Sequence, residues 1–289
     1  MSQPKENYSA KLRAKSMIYF VVCIILTLIC LIPIYILIIN ATRKHVDIIS
    51  SVSFIPGSNL SANVNKLLND PMFQFDPFIG FKNSAIIAVG STVLSVFFSA
   101  LTAYGLVVYD FKLRGPAYTF ILAVMMVPMQ VTSVGFLQFM IKLGLSDSFI
   151  PLIIPTIAAP PIVFFMRQYL KSSFPLDIVE AARIDGCGEF RTFLTIAIPM
   201  MKPAIAVQAI FAFIANWNNF YQPSMILVSR KFEQVTMPMM INMLKSNDKI
   251  ADYGVIYAGI ALSIIPVVII YLLLSRFIVE GVALGGVKE

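Results

Sequence analysis

Charge is scarce in this sequence and histidine nearly absent. Only 13% of the 289 residues are Asp, Glu, Lys or Arg, 58% are hydrophobic, and His45 is the single histidine. With a mean hydropathy of +0.82, that balance excludes an ordinary soluble domain. Six windows free of Asp, Glu, Lys and Arg approach or exceed the roughly 20 residues that cross a bilayer core. They are Ser16 to Thr42, Asn83 to Tyr109, Gly115 to Ile141, Ser148 to Met166, Pro203 to Ser229 and Tyr253 to Ser275. Proton-coupled carriers and intramembrane metalloenzymes keep carboxylates, amines or imidazoles at bilayer depth, because their chemistry needs groups that change charge or ligate. These windows hold none, which argues against both classes and against a catalytic site. The chain also lacks a Gly-x-x-x-x-Gly-Lys-Ser/Thr loop to cradle nucleotide phosphates, so energy comes from a partner or transport is passive. An ion-coupled secondary transporter built on backbone carbonyls at broken helices, and a passive channel, stay open as alternatives.

Cysteine is equally sparse. Cys23 and Cys30 lie seven residues apart on one apolar stretch, about 10 Å along a helix and beyond disulfide reach. Cys187 stands alone and reads as packing or an idle thiol. The net charge of +7 is spread over the connections between windows without forming a run, which fits lipid headgroups and topology and not nucleic acid. The methionines Met125-Met126 and Met237 to Met243 read as flexible filler, not a metal site.

What is present is an all-α integral membrane protein of six spans. Residues 1–15 form a basic cytoplasmic N-terminus, and 16–289 a single transmembrane domain whose first window, too long for a signal core, is a retained span. With both termini inside, the inner segments carry 13 Lys and Arg against 9 outside. Pro151, Pro155, Pro160 and Pro161 bend the fourth span. The third and fifth windows are expected to be single spans. Outside lie residues 43–82, a tight turn at Gly144 to Asp147, and the mixed-charge stretch Arg230 to Asp252.

The inner connection 167–202 is the informative one. Pro175 suits the first turn of a helix, Asp177 and Glu180 complement its dipole, and Gly186 can end it in the left-handed region. Leu176, Val179 and Arg183 share one stripe; Ile178, Ala181, Ala182 and Asp185 share another. Ala181 and Ala182 offer a small-residue face to an approaching backbone. A second short helix with Phe190, Phe193, Leu194 and Ala197 is expected to stop at Pro199 and Pro203. On pattern alone, an amphipathic helix lying on the membrane surface stays open as the alternative.

Glu180-Ala-Ala-Arg-Ile-Asp-Gly186, followed by Phe193, Ile196, Pro199 and Pro203, resembles the cytoplasmic Glu-Ala-Ala loop signature of ABC importer permeases. Asn83-Ser84, Ala103-Tyr104, Met126-Val-Pro128, Phe174-Pro175, Trp217-Asn218 and the tail Gly281 to Lys288 are similar to the carbohydrate branch of that family, typified by the smaller permease of the maltose importer. The tail departs at its last position, reading Gly-Gly-Val-Lys-Glu289. The resemblance implies a type I importer fold in a bacterial cell membrane. Its partners would be a second homologous permease, an ATPase dimer that binds ATP and Mg, an extracytoplasmic sugar-binding protein, and membrane lipids. Glu180, Ala181, Ala182, Arg183, Asp185 and Gly186 would couple to the ATPase, and this chain would hold no cofactor itself. Arg230 to Asp252 would either reach the binding protein or remain a solvated loop.

For the sugar substrate, the fifth window supplies amides and aromatic faces in Gln208, Asn216, Trp217, Asn218, Asn219, Tyr221 and Gln222. In the third, Gln130, Thr132, Ser133 and Gln138 offer the same groups. Both sets can contact solute, or serve helix-to-helix hydrogen bonding and the interfacial belt.

Overall fold

The computed structural model describes residues 5–229, 231–246 and 252–286, and among them every regular element is helical. The chain divides into two compact units. One comprises residues up to Gln74 together with Leu244–Leu262; the other runs from Phe75 to Met243 and resumes at Ser263.

The first unit starts with α1 (Lys5–Ala41), whose apolar side chains from Met17 to Ile38 are largely exposed, as lipid rather than protein would solvate them. Two short helices follow, α2 (His45–Ser50) and α3 (Leu60–Asn69). They are held by a buried polar knot at the end of α1. The Arg43 guanidinium donates to Asp47 O (2.6 Å), Ser51 O (3.0 Å) and Asn40 Oδ1 (3.3 Å), and Asn63 Nδ2 donates to Ala41 O and Arg43 O. Lys66 pairs with Asp252 at 2.8 Å, and His45 stacks on Tyr253.

In the second unit α4 (Pro77–Val108) is the central element, capped by Asp76, which accepts from Phe78 N and Ile79 N. Ser91, Ser99, Ala100 and Ala103 on α4 are fully buried, and such small side chains let neighbouring helices approach. The third window is not one helix. It breaks at Met126-Val-Pro128 into α5 (Arg114–Met125) and α6 (Met129–Lys142), bent by 94°. Pro128 has no N–H to donate and drives Val127 out of the helical region, so a window that looks continuous in hydropathy is discontinuous in backbone.

The fourth window is irregular, as its prolines require: α7 (Ile150–Ile153), a 3₁₀ turn (Ile154–Ile157), then α8 (Pro160–Ser173) opening on Pro160-Pro161. Serines of α4 repair the broken ladder, since Ser91 Oγ donates to Leu152 O and Ser99 Oγ to Ala159 O.

The inner connection holds α9 (Asp177–Ile184), α10 (Glu189–Thr192) and α11 (Ile198–Met200). Pro175 precedes α9 instead of opening it, and Pro199 does not stop the second helix. One turn of π-helix, Phe193–Ala197, widens the backbone ahead of Pro199 and accommodates its ring. The bend comes later, 80° into α12 (Lys202–Trp217). α12 ends well short of Ser229, and α13 (Tyr221–Ile226) follows. Asparagines compete with the helical ladder there: Asn216 Nδ2 donates to Ala212 O, and Asn219 Oδ1 accepts from Gln222 N.

α14 (Met237–Ser246) and α15 (Tyr253–Gly286) complete the chain. Met237 and Met240 pack on Gly80 and are buried, so this methionine run fills space against α4. By length and composition four described helical stretches can cross a membrane, six if each bent pair is one span. Arg230, residues 247–251 in the outer stretch, and the tail positions 287–289 lie outside the described residues.

Candidate functional site

Two places in the second unit gather the residues singled out by sequence. The first is the inner connection. α9 closes in a Schellman motif: Cys187 N donates to Ala182 O (2.9 Å) and Gly186 N to Arg183 O (3.0 Å), with Gly186 at φ +75°. Val179 and Ala182 turn inward, at 1% and 7% exposure. Val179 joins a core of Tyr104, Leu170, Phe174, Phe193 and Met201, which fastens α9 to α4 and α8. Ala181 is exposed, so the two alanines do not form one outward face. Glu180, Arg183, Asp185 and Gly186 are exposed, as are the apolar Leu176, Ile178, Phe190, Leu194 and above all Ile184 at 86%. Exposed apolar side chains interspersed with charges are what a partner surface offers.

The turn between α9 and α10 is braced by Arg183 together with two residues that sequence reading did not single out, Tyr109 and Glu189. Arg183 Nε donates to Glu189 Oε1 at 2.7 Å, and the Tyr109 hydroxyl, one residue beyond α4, donates to Glu189 Oε2 at 2.7 Å. Arg183 first, then Tyr109, hold the Glu189 carboxyl below its usual range. Tyr109 is pushed up to about 12, by burial first and then by its bond to that carboxylate.

The second place is a cavity of about 480 Å³. α6 contributes Thr132, Ser133 and Phe136; the irregular fourth window contributes Pro151, Pro155 and Thr156; α12, α13 and their junction contribute Asn216, Asn219 and Gln222. It forms where three backbones are interrupted, because each break turns polar side chains and bare backbone toward a common space. Thr156 was hidden from sequence reading by the prolines around it, which signalled only a bend.

Other expected residues lie elsewhere. Trp217 is 3% exposed, stacked between Phe81 and Phe213, with Nε1 donating to Ser263 O at 3.1 Å. Tyr221, itself outside the lining, meets the lining Ser133 hydroxyl to hydroxyl at 2.8 Å. Gln130, Gln138 and Asn218 are exposed outside the lining, and Gln208 is half-buried along α12. Between the third and fourth windows, the Asp147 carboxylate accepts from Ser229 N at 2.8 Å, a bond that lowers its pKa. Asn83 and Ser84 pin the 233–237 strand of chain, Asn83 Nδ2 donating to Glu233 O and Val235 O and Ser84 Oγ accepting from Met237 N.

Residues 95–283 match the family described as binding-protein-dependent transport system inner membrane component. The chain is 34% identical over 266 residues to the arabinooligosaccharides transport system permease protein of Bacillus subtilis, covering 91% of this chain and 92% of that one. It is 33% identical over 215 residues to the lactose transport system permease protein of Rhizobium radiobacter (74% and 77%). Identity to the sn-glycerol-3-phosphate transport system permease protein of Pectobacterium atrosepticum is 28% over 254 residues (87% and 90%). In fold it is similar to a chain of a bacterial ABC transporter involved in import of the acidic polysaccharide alginate, with TM-score 0.74 and 23% identity over 96% of this chain and 99% of that one.

Proposed function

Because the chain belongs to the family of binding-protein-dependent transport system inner membrane components, we propose that it is one of two homologous permease subunits of an ATP-driven sugar importer in a bacterial cell membrane. It is a transport subunit and not itself an ATPase. Energy enters from an ATPase dimer that binds ATP and Mg, and cargo arrives on an extracytoplasmic binding protein.

The observation that carries this reading is α9. It is a two-turn helix, capped by Gly186, clamped inward by Val179 and Ala182, and left with Ile178, Glu180, Ala181, Ile184 and Asp185 exposed. Such a helix is a rigid plug for a cleft on the ATPase. Its inward clamp hands the motion of that cleft to α4 and α8. Arg183 serves by bracing the turn through Glu189. The two bent pairs each count as one span, giving six, with residues 1–15, the connection 167–202 and the C-terminus cytoplasmic. The stretch around 231–246 faces the binding protein, and lipid surrounds the exposed side of α1.

Solute moves past Thr132, Ser133, Asn216, Asn219 and Gln222. Gln130, Asn218, Tyr221 and Gln208 flank that path, and Trp217 holds α12 in place. Two relatives carry arabinooligosaccharides and lactose by name, which supports a sugar or oligosaccharide cargo. The test is reconstitution with partner permease, ATPase and binding protein. Uptake should require ATP hydrolysis that loaded binding protein stimulates. Uptake that survives an inactive ATPase and collapses with an ion gradient would establish a secondary carrier instead.

A further inference from the structure

The cavity's hydrogen-bonding character is set by where its protons are already committed. Thr132 Oγ1 donates to Met129 O at 3.0 Å, and Thr156 Oγ1 donates to Ile153 O at 2.6 Å with Ser91 O at 3.2 Å. Each hydroxyl has one proton, so both have no donor left and keep lone pairs with which to accept. Ser133 Oγ donates to Gln130 O at 2.7 Å and therefore accepts from Tyr221. Asn216 Nδ2 is engaged with Ala212 O, which leaves Oδ1 and one N–H available. Asn219 Nδ2 donates one N–H to Gln222 Oε1 and keeps the other, and the Gln222 amide nitrogen adds further neutral donors.

No lining side chain is charged, and the stretches 129–136, 151–158 and 215–225 that build the walls contain no Asp, Glu, Lys, Arg or His. An anion entering this space would lose its hydration and meet lone pairs and a few neutral amides, with no cation to offset the loss. A hydroxyl group brings a proton for each lone pair and can accept from the amides. Phe136, Pro151 and Pro155 supply apolar wall for ring C–H groups. At about 480 Å³ the space lies within the roughly 300–1,000 Å³ common for small-molecule sites.

We propose that this acceptor-rich, charge-free cavity makes the subunit's solute path selective for uncharged, polyhydroxylated solutes over carboxylated or phosphorylated ones. The inference rests on the cavity belonging to the solute path, and it separates this chain's cargo from the glycerol phosphate of one relative.

The test reads the cavity itself. In the assembled importer, with Cys23, Cys30 and Cys187 replaced by Ser, Thr132→Cys is near-isosteric at an exposed position. It is reacted with ethyl, ethylammonium and ethylsulfonate methanethiosulfonates, each rate being normalised to a free thiol in solution. The anionic reagent should react about tenfold or more slowly relative to the neutral one, the penalty of an unpaired anion in such a site. Equal normalised rates for neutral and anionic reagents overturn the charge selectivity. Failure of all three to react overturns the cavity as a solute path. ATP-driven uptake in the same vesicles is scored separately, so a complex that transports but shows no rate difference sinks this inference alone. Asn219→Cys, if Thr132→Cys prevents assembly, gives a second reading with the same three reagents: the anionic one should again lag the neutral one about tenfold, and equal normalised rates overturn the proposal.

Discussion

The Tyr109 hydroxyl donates to Glu189 Oε2 at 2.7 Å, joining the end of α4 to the start of α10 across 80 residues of chain. Arg183 completes the tie from α9. Residues from three elements thus share one carboxylate. Tyr109→Phe and Glu189→Gln are each expected to leave expression and assembly intact while raising the ATP hydrolysed per solute moved several-fold. The ratio of hydrolysis to uptake in proteoliposomes measures it; an unchanged ratio would leave the tie without a coupling role.

The same tie sets a pH window. Glu189 is depressed in the folded protein, so its contribution is present above the ordinary carboxylate value near pH ~4.3 and is lost as pH falls through its lower folded value. Tyr109 is raised to about 12, so its contribution holds below its ordinary value near pH ~10 and fades as pH climbs toward 12. Coupling between pH ~5 and ~9 should therefore be flat in this respect. A titration step near neutrality that disappears in Glu189→Gln would contradict the assignment.

Gly186 sits at φ +75° with open space around its Cα, so backbone conformation and not crowding restricts it. A β-branched residue there costs about 1–2 kcal/mol and undoes the Schellman bonds. Gly186→Val should release the ATPase on co-purification, whereas Gly186→Asn, tolerant of that region, should retain most of it.

Gly254 poses the opposite case. A Cβ at this position would lie 2.5 Å from Arg43 O and 2.7 Å from Asn63 Nδ2, atoms fixed by the polar knot at the end of α1. Gly254→Ala should destabilise the first unit by about 1–3 kcal/mol, the usual cost of overpacking. Thermal unfolding in detergent would show it as a lowered midpoint.

Asn83→Leu removes the donor to the buried carbonyl of Val235 and to the part-buried one of Glu233. Leaving a buried acceptor unpaired costs about 1–3 kcal/mol. The segment around residues 233–237 should open first, seen as faster proteolysis near residue 235 with the remaining helices intact.

The apolar windows were legible because hydropathy needs only composition. Their interruptions were not: Pro128 and the run Asn216 to Asn219 sit inside charge-free stretches, and a window average does not register a backbone that turns by 94° or ends at Trp217. Gly186 could be read as a terminator because one residue type and one backbone region coincide there. Pro199 could not, since nothing local announces that a π turn will absorb its ring. Tyr109 and Glu189 escaped notice because their meeting is a property of the packed structure. For the cavity, amide and hydroxyl types pointed to Asn216, Asn219, Gln222, Thr132 and Ser133, whereas the direction of each side chain, decisive for Trp217, comes only from packing.

α9 has eight residues, fewer than the roughly 12–15 an isolated helix needs to persist in water. Its order is therefore borrowed from Tyr104, Phe174 and Phe193 beneath it. Loosening that aromatic bed would melt the helix, so the exposed face of α9 keeps its shape only while the packing beneath it holds, and damage to a buried ring is felt at the surface as lost order.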